Sequence, residues 1–123
     1  MKEVKIINYQ ILLSIISIIT IITSIILNYN TILDLEGKPT LFNKKNTLKI
    51  SKYRNLILVI VSILFLYLNY LNKKIAQEKN ENSKSYDLQI LASYLTVIAS
   101  LIIYYVVLTS ENETIADIEN PII

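Results

Sequence analysis

The sequence predicts an all-α integral membrane protein whose three transmembrane helices form a small antiparallel bundle, with residues 1–123 as a single membrane domain. Hydrophobic residues make up 53 % of the chain and charged residues only 18 %. Three long windows hold no Asp, Glu, Lys or Arg; they run between Lys5 and Asp34, between Arg54 and Lys73, and between Asp87 and Glu111. Such windows separated by charged stretches are typical of a multi-pass membrane protein. Because a helix satisfies its own backbone in lipid and three segments cannot close a barrel, the windows are predicted to be helices.

The first predicted span covers residues 6–28, roughly 34 Å of helix at the usual rise per residue. That length crosses the hydrocarbon core with some tilt. The alternative is a cleaved signal peptide, because Lys2 and Lys5 precede the apolar run. A retained helix is favoured, since the run is longer than a typical signal-peptide core and no small-residue cleavage site follows it.

The second and third predicted spans cover residues 55–72 and 88–109. The second lies between two basic stretches, and the third begins after an aspartate and ends before glutamates. The rest of the chain is predicted to form a long loop, a shorter polar loop and an acidic tail, over residues 29–54, 73–87 and 110–123 respectively.

The long loop contains a turn and a second helical segment. Gly37 and Pro39 mark the turn. Residues 41–51 then mix lysines with leucine, phenylalanine and isoleucine. This mixture predicts an interfacial helix that runs into the second span.

Tyrosines support the same span boundaries, because a phenol keeps its ring among acyl chains and its hydroxyl in water. Eight of the nine tyrosines bracket the predicted spans: Tyr9, Tyr29, Tyr53, Tyr67, Tyr70, Tyr86, Tyr104 and Tyr105. Tyr94 is the exception, inside the third span. Interfacial anchoring explains them without a ligand.

The orientation is predicted with the N-terminus inside and the C-terminus outside. Lysine and arginine counts do not decide it, since the N-terminus with the second loop carries six and the first loop also carries six. The first and third spans each have lysine before them and acids after them, which favours an inside N-terminus. Abundant Ile, Asn, Lys and Tyr indicate an AT-rich bacterial source, and hence the inner membrane.

Small and polar residues form heptad stripes within the spans. The residues predicted to pack helices together are Gln10, Ser14, Ser17, Ser24, Ser62, Asn69, Ala92, Ser93, Thr96, Ala99 and Ser100. Small residues let helices approach closely in lipid, and a spacing of 3.5 keeps a stripe facing its partner. The stripes are expected to close the chain's own bundle or a homo-oligomer. A water-filled pore is the alternative, although pathways usually recruit ionisable residues and the spans contain none.

The composition disfavours an enzyme. The chain has no cysteine and no histidine, and it has a single glycine, so thiolate chemistry, the commonest metal ligand and phosphate-binding glycine loops are excluded. No catalytic, metal-binding or cofactor-binding residue is predicted. The net charge of +2 is too small to indicate nucleic acid.

The expected function is therefore that of a structural or accessory membrane subunit. Its expected partners are membrane lipids and either a second copy or another membrane protein. The short chain, three helices and charged tail also resemble the small three-span holins, which implies pore formation as an alternative. Holin tails are usually basic, whereas this tail is acidic. A bacteriocin immunity protein would also fit the size and the lysine-rich loops.

Overall fold

The computed structural model describes residues 2–109 and is helical in all three of its regular elements. These are α1 (Lys2–Leu35), α2 (Lys44–Glu78) and α3 (Lys84–Thr109). Each helix is long and apolar enough to cross a membrane, as expected of a multi-pass membrane protein. The predicted helical class is thus confirmed, and the three helices have the length and composition that the predicted spans require. The predicted acidic tail lies outside the described residues.

The helices extend well beyond the predicted spans. The connections between them are residues 36–43 and 79–83, much shorter than the predicted loops. Residues 44–51 of the segment predicted as an interfacial helix form the first turns of α2, which continues without a break into the predicted second span, whereas residues 41–43 precede the helix. Apolar windows mark only the part of a helix that suits lipid, whereas the backbone can continue helically where charged side chains reach water.

Both connections begin with the same left-handed turn. Gly37 has a φ of 71° after α1, and Asn80 has a φ of 57° after α2. In each turn the following amide returns to a carbonyl five residues earlier, from Lys38 to Leu33 at 2.9 Å and from Glu81 to Ala76 at 2.9 Å. This arrangement satisfies the last carbonyls of a helix and favours glycine or asparagine at the left-handed position.

The start of α2 is capped by its own sequence. The Asn43 side chain accepts a 2.7 Å hydrogen bond from the backbone amide of Asn46. Asparagine is a favoured N-cap because its short side chain satisfies an amide that has no partner within the helix.

α2 lies between the other two helices. It packs against both α1 and α3, whereas within residues 2–109 no Cα atom of α1 lies within 8 Å of a Cα atom of α3. The three helices therefore do not enclose a common core. Each outer helix is held by α2 alone.

The contact between α1 and α2 is centred on apolar residues. Ile6 and Leu13 of α1 form a buried cluster with Val61 and Leu68 of α2. The buried positions continue along α1 at intervals of seven, through Thr20 and Leu27. Most other large apolar side chains of the described chain are exposed, as expected of helices that face lipid.

Candidate helix-packing site

Polar side chains from two helices meet in the contact between α2 and α3. Asn69 of α2 donates a hydrogen bond from Nδ2 to the Ser93 hydroxyl of α3. Ser62 and Ser100 bring their hydroxyl oxygens to within 3.1 Å of each other. The two pairs are seven residues apart on each helix, so they lie on one face of each. Four of the predicted packing residues are thus brought together.

These serines also bond within their own helices. The Val59 carbonyl lies 2.8 Å from the Ser62 hydroxyl, and the Val97 carbonyl lies 2.8 Å from the Ser100 hydroxyl. Because each hydroxyl has one proton, one serine donates to its own helix carbonyl while the other donates to the partner serine. A small side chain at both positions lets the backbones approach closely. More of the α3 backbone than of the longer α1 backbone lies within 8 Å of α2.

The predicted packing residues of α1 lie outside the buried centre of the contact with α2. Ser14 is exposed and donates to the Gln10 carbonyl at 2.8 Å, while Ser17 donates to the Leu13 carbonyl at 2.9 Å. Gln10, Ser17 and Ser24 are half-buried. The buried stripe of α1 is instead the one that begins at Ile6, so the helix presents a mainly apolar face to α2.

Three of the predicted residues of α3 point away from α2. Ala92, Thr96 and Ala99 are exposed, as is Gln89, and the four lie at spacings of three or four residues along the helix. The Thr96 hydroxyl donates to the Ala92 carbonyl at 2.8 Å. We call these four residues the α3 stripe. No other helix of the described chain covers it.

Asn30 is a structural residue that the sequence analysis missed. It is only 4 % exposed, and its Oδ1 accepts from the amides of Leu41 at 2.8 Å and Phe42 at 2.9 Å. Its Nδ2 donates to the Phe42 carbonyl at 3.2 Å. One side chain therefore ties the first connection to the end of α1. Asn30 was not among the predicted packing residues because it falls in the predicted loop, outside every stripe.

Arg54 is the second residue that was missed. Its Nε donates to the Thr20 carbonyl at 3.0 Å, which joins α2 to the middle of α1. The Thr20 hydroxyl donates in turn to the Ser17 carbonyl at 2.6 Å. Arg54 is the chain's single arginine and stands at the edge of a charge-free window. That position indicates an anchoring role but does not reveal the partner.

A groove of about 690 Å³ runs between the first half of α1 and the second half of α2. Its floor is apolar and includes the buried residues Leu13 and Leu68. One end is lined by Lys2, Lys5 and Lys74. The volume lies within the range of about 300–1,000 Å³ that ligand sites usually occupy.

Ion pairs fix the helix ends near this groove. Lys79 pairs with Glu3, which connects the ends of α2 and α1, and the hydrogen bond that the Lys79 ammonium donates to this carboxylate raises the pKa of Lys79. Lys73 pairs with Asp87 of α3 at 2.6 Å. Both pairs are partly exposed, so they orient the helix ends more than they stabilise them.

No family model, curated protein or solved structure matches the chain. Within residues 2–109, no cluster of three or more His, Cys, Asp or Glu side chains could hold a metal ion. The features that could bear a function are therefore the α3 stripe and the groove between α1 and α2.

Proposed function

We propose that the chain is a non-enzymatic multi-pass membrane protein that serves as a structural or accessory subunit. In this proposal it associates with a second copy or with another membrane protein. The observation that carries the proposal is the α3 stripe, whose Ala92, Thr96 and Ala99 are exposed beside the face that packs on α2. α3 has no second neighbour within the described chain.

Lipid makes such a stripe more significant than it would be in water. Large apolar side chains gain little by leaving acyl chains for another helix, because both surroundings are equally apolar. Small residues let a second backbone approach closely, and side chains such as Gln89 can donate hydrogen bonds to it. The α2–α3 contact already uses the same residue types, which supports a similar use of the α3 stripe with an outside helix.

The proposed arrangement is antiparallel, with the N-terminus inside a bacterial inner membrane and the C-terminus outside. Two observations support it. The bond partners of α2 and α3 run in opposite directions, from Ser62 with Ser100 to Asn69 with Ser93. The first and third spans also have lysine before them and acids after them in the sequence.

The test enlarges the α3 stripe and leaves the α2 contact unchanged. The variant carries Ala92→Leu and Ala99→Leu. The matched control carries Leu91→Phe and Ile98→Phe, which add volume to exposed positions elsewhere on α3. Oligomer formation by the purified full chain is measured by native mass spectrometry over a range of protein-to-detergent ratios.

Wild type and control are expected to associate, whereas the stripe variant should associate about tenfold more weakly, equivalent to about 1.4 kcal/mol. Circular dichroism should show equal helix content in all three proteins. If homo-oligomers are absent, pull-down from cross-linked membranes should recover a partner with wild type and control but not with the stripe variant. Association that is unchanged by the stripe substitutions, in both assays, would overturn the proposal.

A further inference from the structure

The groove between α1 and α2 has the shape of a site for an elongated apolar group. Leu13 and Leu68 form part of its buried floor, while Leu12 and Leu64 line it and remain 52 % and 42 % exposed. Its lining is therefore apolar over most of its length and open to the surroundings of the helices. In a membrane those surroundings are acyl chains.

One end of the groove is positively charged. Lys2, Lys5 and Lys74 line that end together with a single acid, Glu78. Within residues 2–109 none of these three lysines forms a salt bridge, although the nearby Lys79 is paired. The end of the groove thus carries three ammonium groups against one carboxylate.

Two tyrosines line the groove: on α1, Tyr9 lies between the charged end and the apolar floor, whereas on α2, Tyr67 lies beside Leu68 at the level of the floor. Tyr9 is 57 % exposed on α1 and Tyr67 is 60 % exposed on α2. Phenol hydroxyls can donate to phosphate or ester oxygens while the rings remain among acyl chains. Along α1 the lining is therefore cationic at Lys2 and Lys5, then amphipathic at Tyr9, then apolar, which is complementary to a phospholipid with an anionic headgroup.

We propose that this groove binds one anionic phospholipid from the surrounding bilayer. The headgroup contacts Lys2, Lys5 and Lys74, and an acyl chain lies along the floor formed by Leu13 and Leu68. This inference rests on the membrane insertion in the proposed function but not on association through the α3 stripe. A second copy is a poorer occupant, because a symmetric contact at this end would bring like-charged lysines together.

Charge at the groove is tested with the full chain in detergent, by native mass spectrometry with two lipids that have identical acyl chains. One is dioleoyl phosphatidylglycerol, which is anionic, and the other is dioleoyl phosphatidylcholine, which is zwitterionic. The first variant carries Lys2→Gln, Lys5→Gln and Lys74→Gln. The matched control carries Lys44→Gln, Lys45→Gln and Lys49→Gln, which remove the same charge from the start of α2.

Shape is tested with Leu64→Trp, which fills the groove without changing its charge. Leu64 is a lining residue outside the buried cluster, so the helices should still pack. The indole should reduce binding of both lipids, because it occupies space that the acyl chain needs. Helix content by circular dichroism serves as the folding check for each variant.

Wild type and the control should retain the anionic lipid in preference to the zwitterionic one. The variant with Lys2→Gln, Lys5→Gln and Lys74→Gln should bind the anionic lipid about tenfold more weakly. This loss is smaller than the product of about fivefold for each basic residue, because Glu78 and salt reduce the local field. Equal loss in the control, or no preference in wild type, would overturn the inference. So would a wild-type dimer that the groove substitutions abolish and the control substitutions leave intact, because a second copy would then occupy the groove.

Extraction of membranes with alkaline carbonate distinguishes a failure of the proposed function from a failure of the lipid inference alone. If the full chain is removed from membranes by alkaline carbonate, the insertion on which both proposals depend is wrong. If it stays in the membrane and shows no lipid preference, the lipid inference alone is wrong.

Discussion

The two contacts that α2 makes differ in chemistry and in closeness. Toward α3 it presents Ser62 and Asn69, which bond to serines, and the two backbones approach closely. Toward α1 it presents Val61 and Leu68, which pack against apolar residues and leave a groove beside them. Small polar residues therefore close one side of α2, while large apolar residues leave the other partly open.

This difference indicates which of the two helix contacts gains less stability when acyl chains surround the helices. An apolar contact between helices gains little over contact with acyl chains, whereas a hydrogen bond and close backbone packing have no equivalent in lipid. The α1–α2 contact is accordingly supplemented by directional bonds at other points. These are Arg54 with the Thr20 carbonyl, Lys79 with Glu3, and Asn30 with the first connection.

Asn30→Ala tests whether the α1–α2 side depends on its directional bonds, and it should have the largest effect. Two backbone amides and one carbonyl lose their side-chain partner, so the stability should fall by about 3 kcal/mol. The loss of stability is measured by unfolding in sodium dodecyl sulfate, monitored by circular dichroism. The control is Asn28→Ala, because the buried Asn28 Oδ1 has no hydrogen-bond partner within the described chain. Equal losses in the two variants would contradict the role of Asn30.

Ser100→Leu tests the close approach of α3 to α2. A leucine at this contact has no room between the backbones and should cost about 2 kcal/mol through overpacking. Thr96→Leu is the control, since Thr96 is exposed and outside the contact. The same unfolding assay should separate them, and a stable Ser100→Leu protein would show that the contact is looser than its bonds indicate. In the oligomer measurements the order should be reversed, because Thr96→Leu should weaken association more than Ser100→Leu does.

Glu3→Gln should have the smallest effect, because the Lys79–Glu3 pair is partly exposed. The pair raises the pKa of Lys79 in the folded protein, so its contribution is complete at neutral pH. It should disappear as pH rises from about 10.4, the usual lysine value, through the raised pKa. Thermal unfolding in detergent should show a small gap between wild type and variant at pH 8 that closes at strongly alkaline pH. A gap that grows with pH would contradict this assignment.

The stripes show how far heptad spacing can predict a packing site. On α2 and α3 the spacing placed Ser62 with Asn69 and Ser93 with Ser100 on shared faces, and in the structure these side chains meet. On α1 the spacing of polar residues was equally regular, yet the buried face starts from Ile6. Serines and threonines can bond to their own helix carbonyls, so a polar stripe need not face a partner.

The sequence by itself determined that the chain forms three helices long and apolar enough to cross a membrane, because charge-free stretches of that length would have to satisfy their own backbone in lipid. It also determined the left-handed turn at Gly37, since glycine adopts that conformation at little cost. Only the tertiary structure decided that α2 lies between the other two helices, and that Asn30 and Arg54 bond to distant parts of the chain. Spacing along one helix records which residues share a face, but the neighbour of each face depends on how all three helices pack.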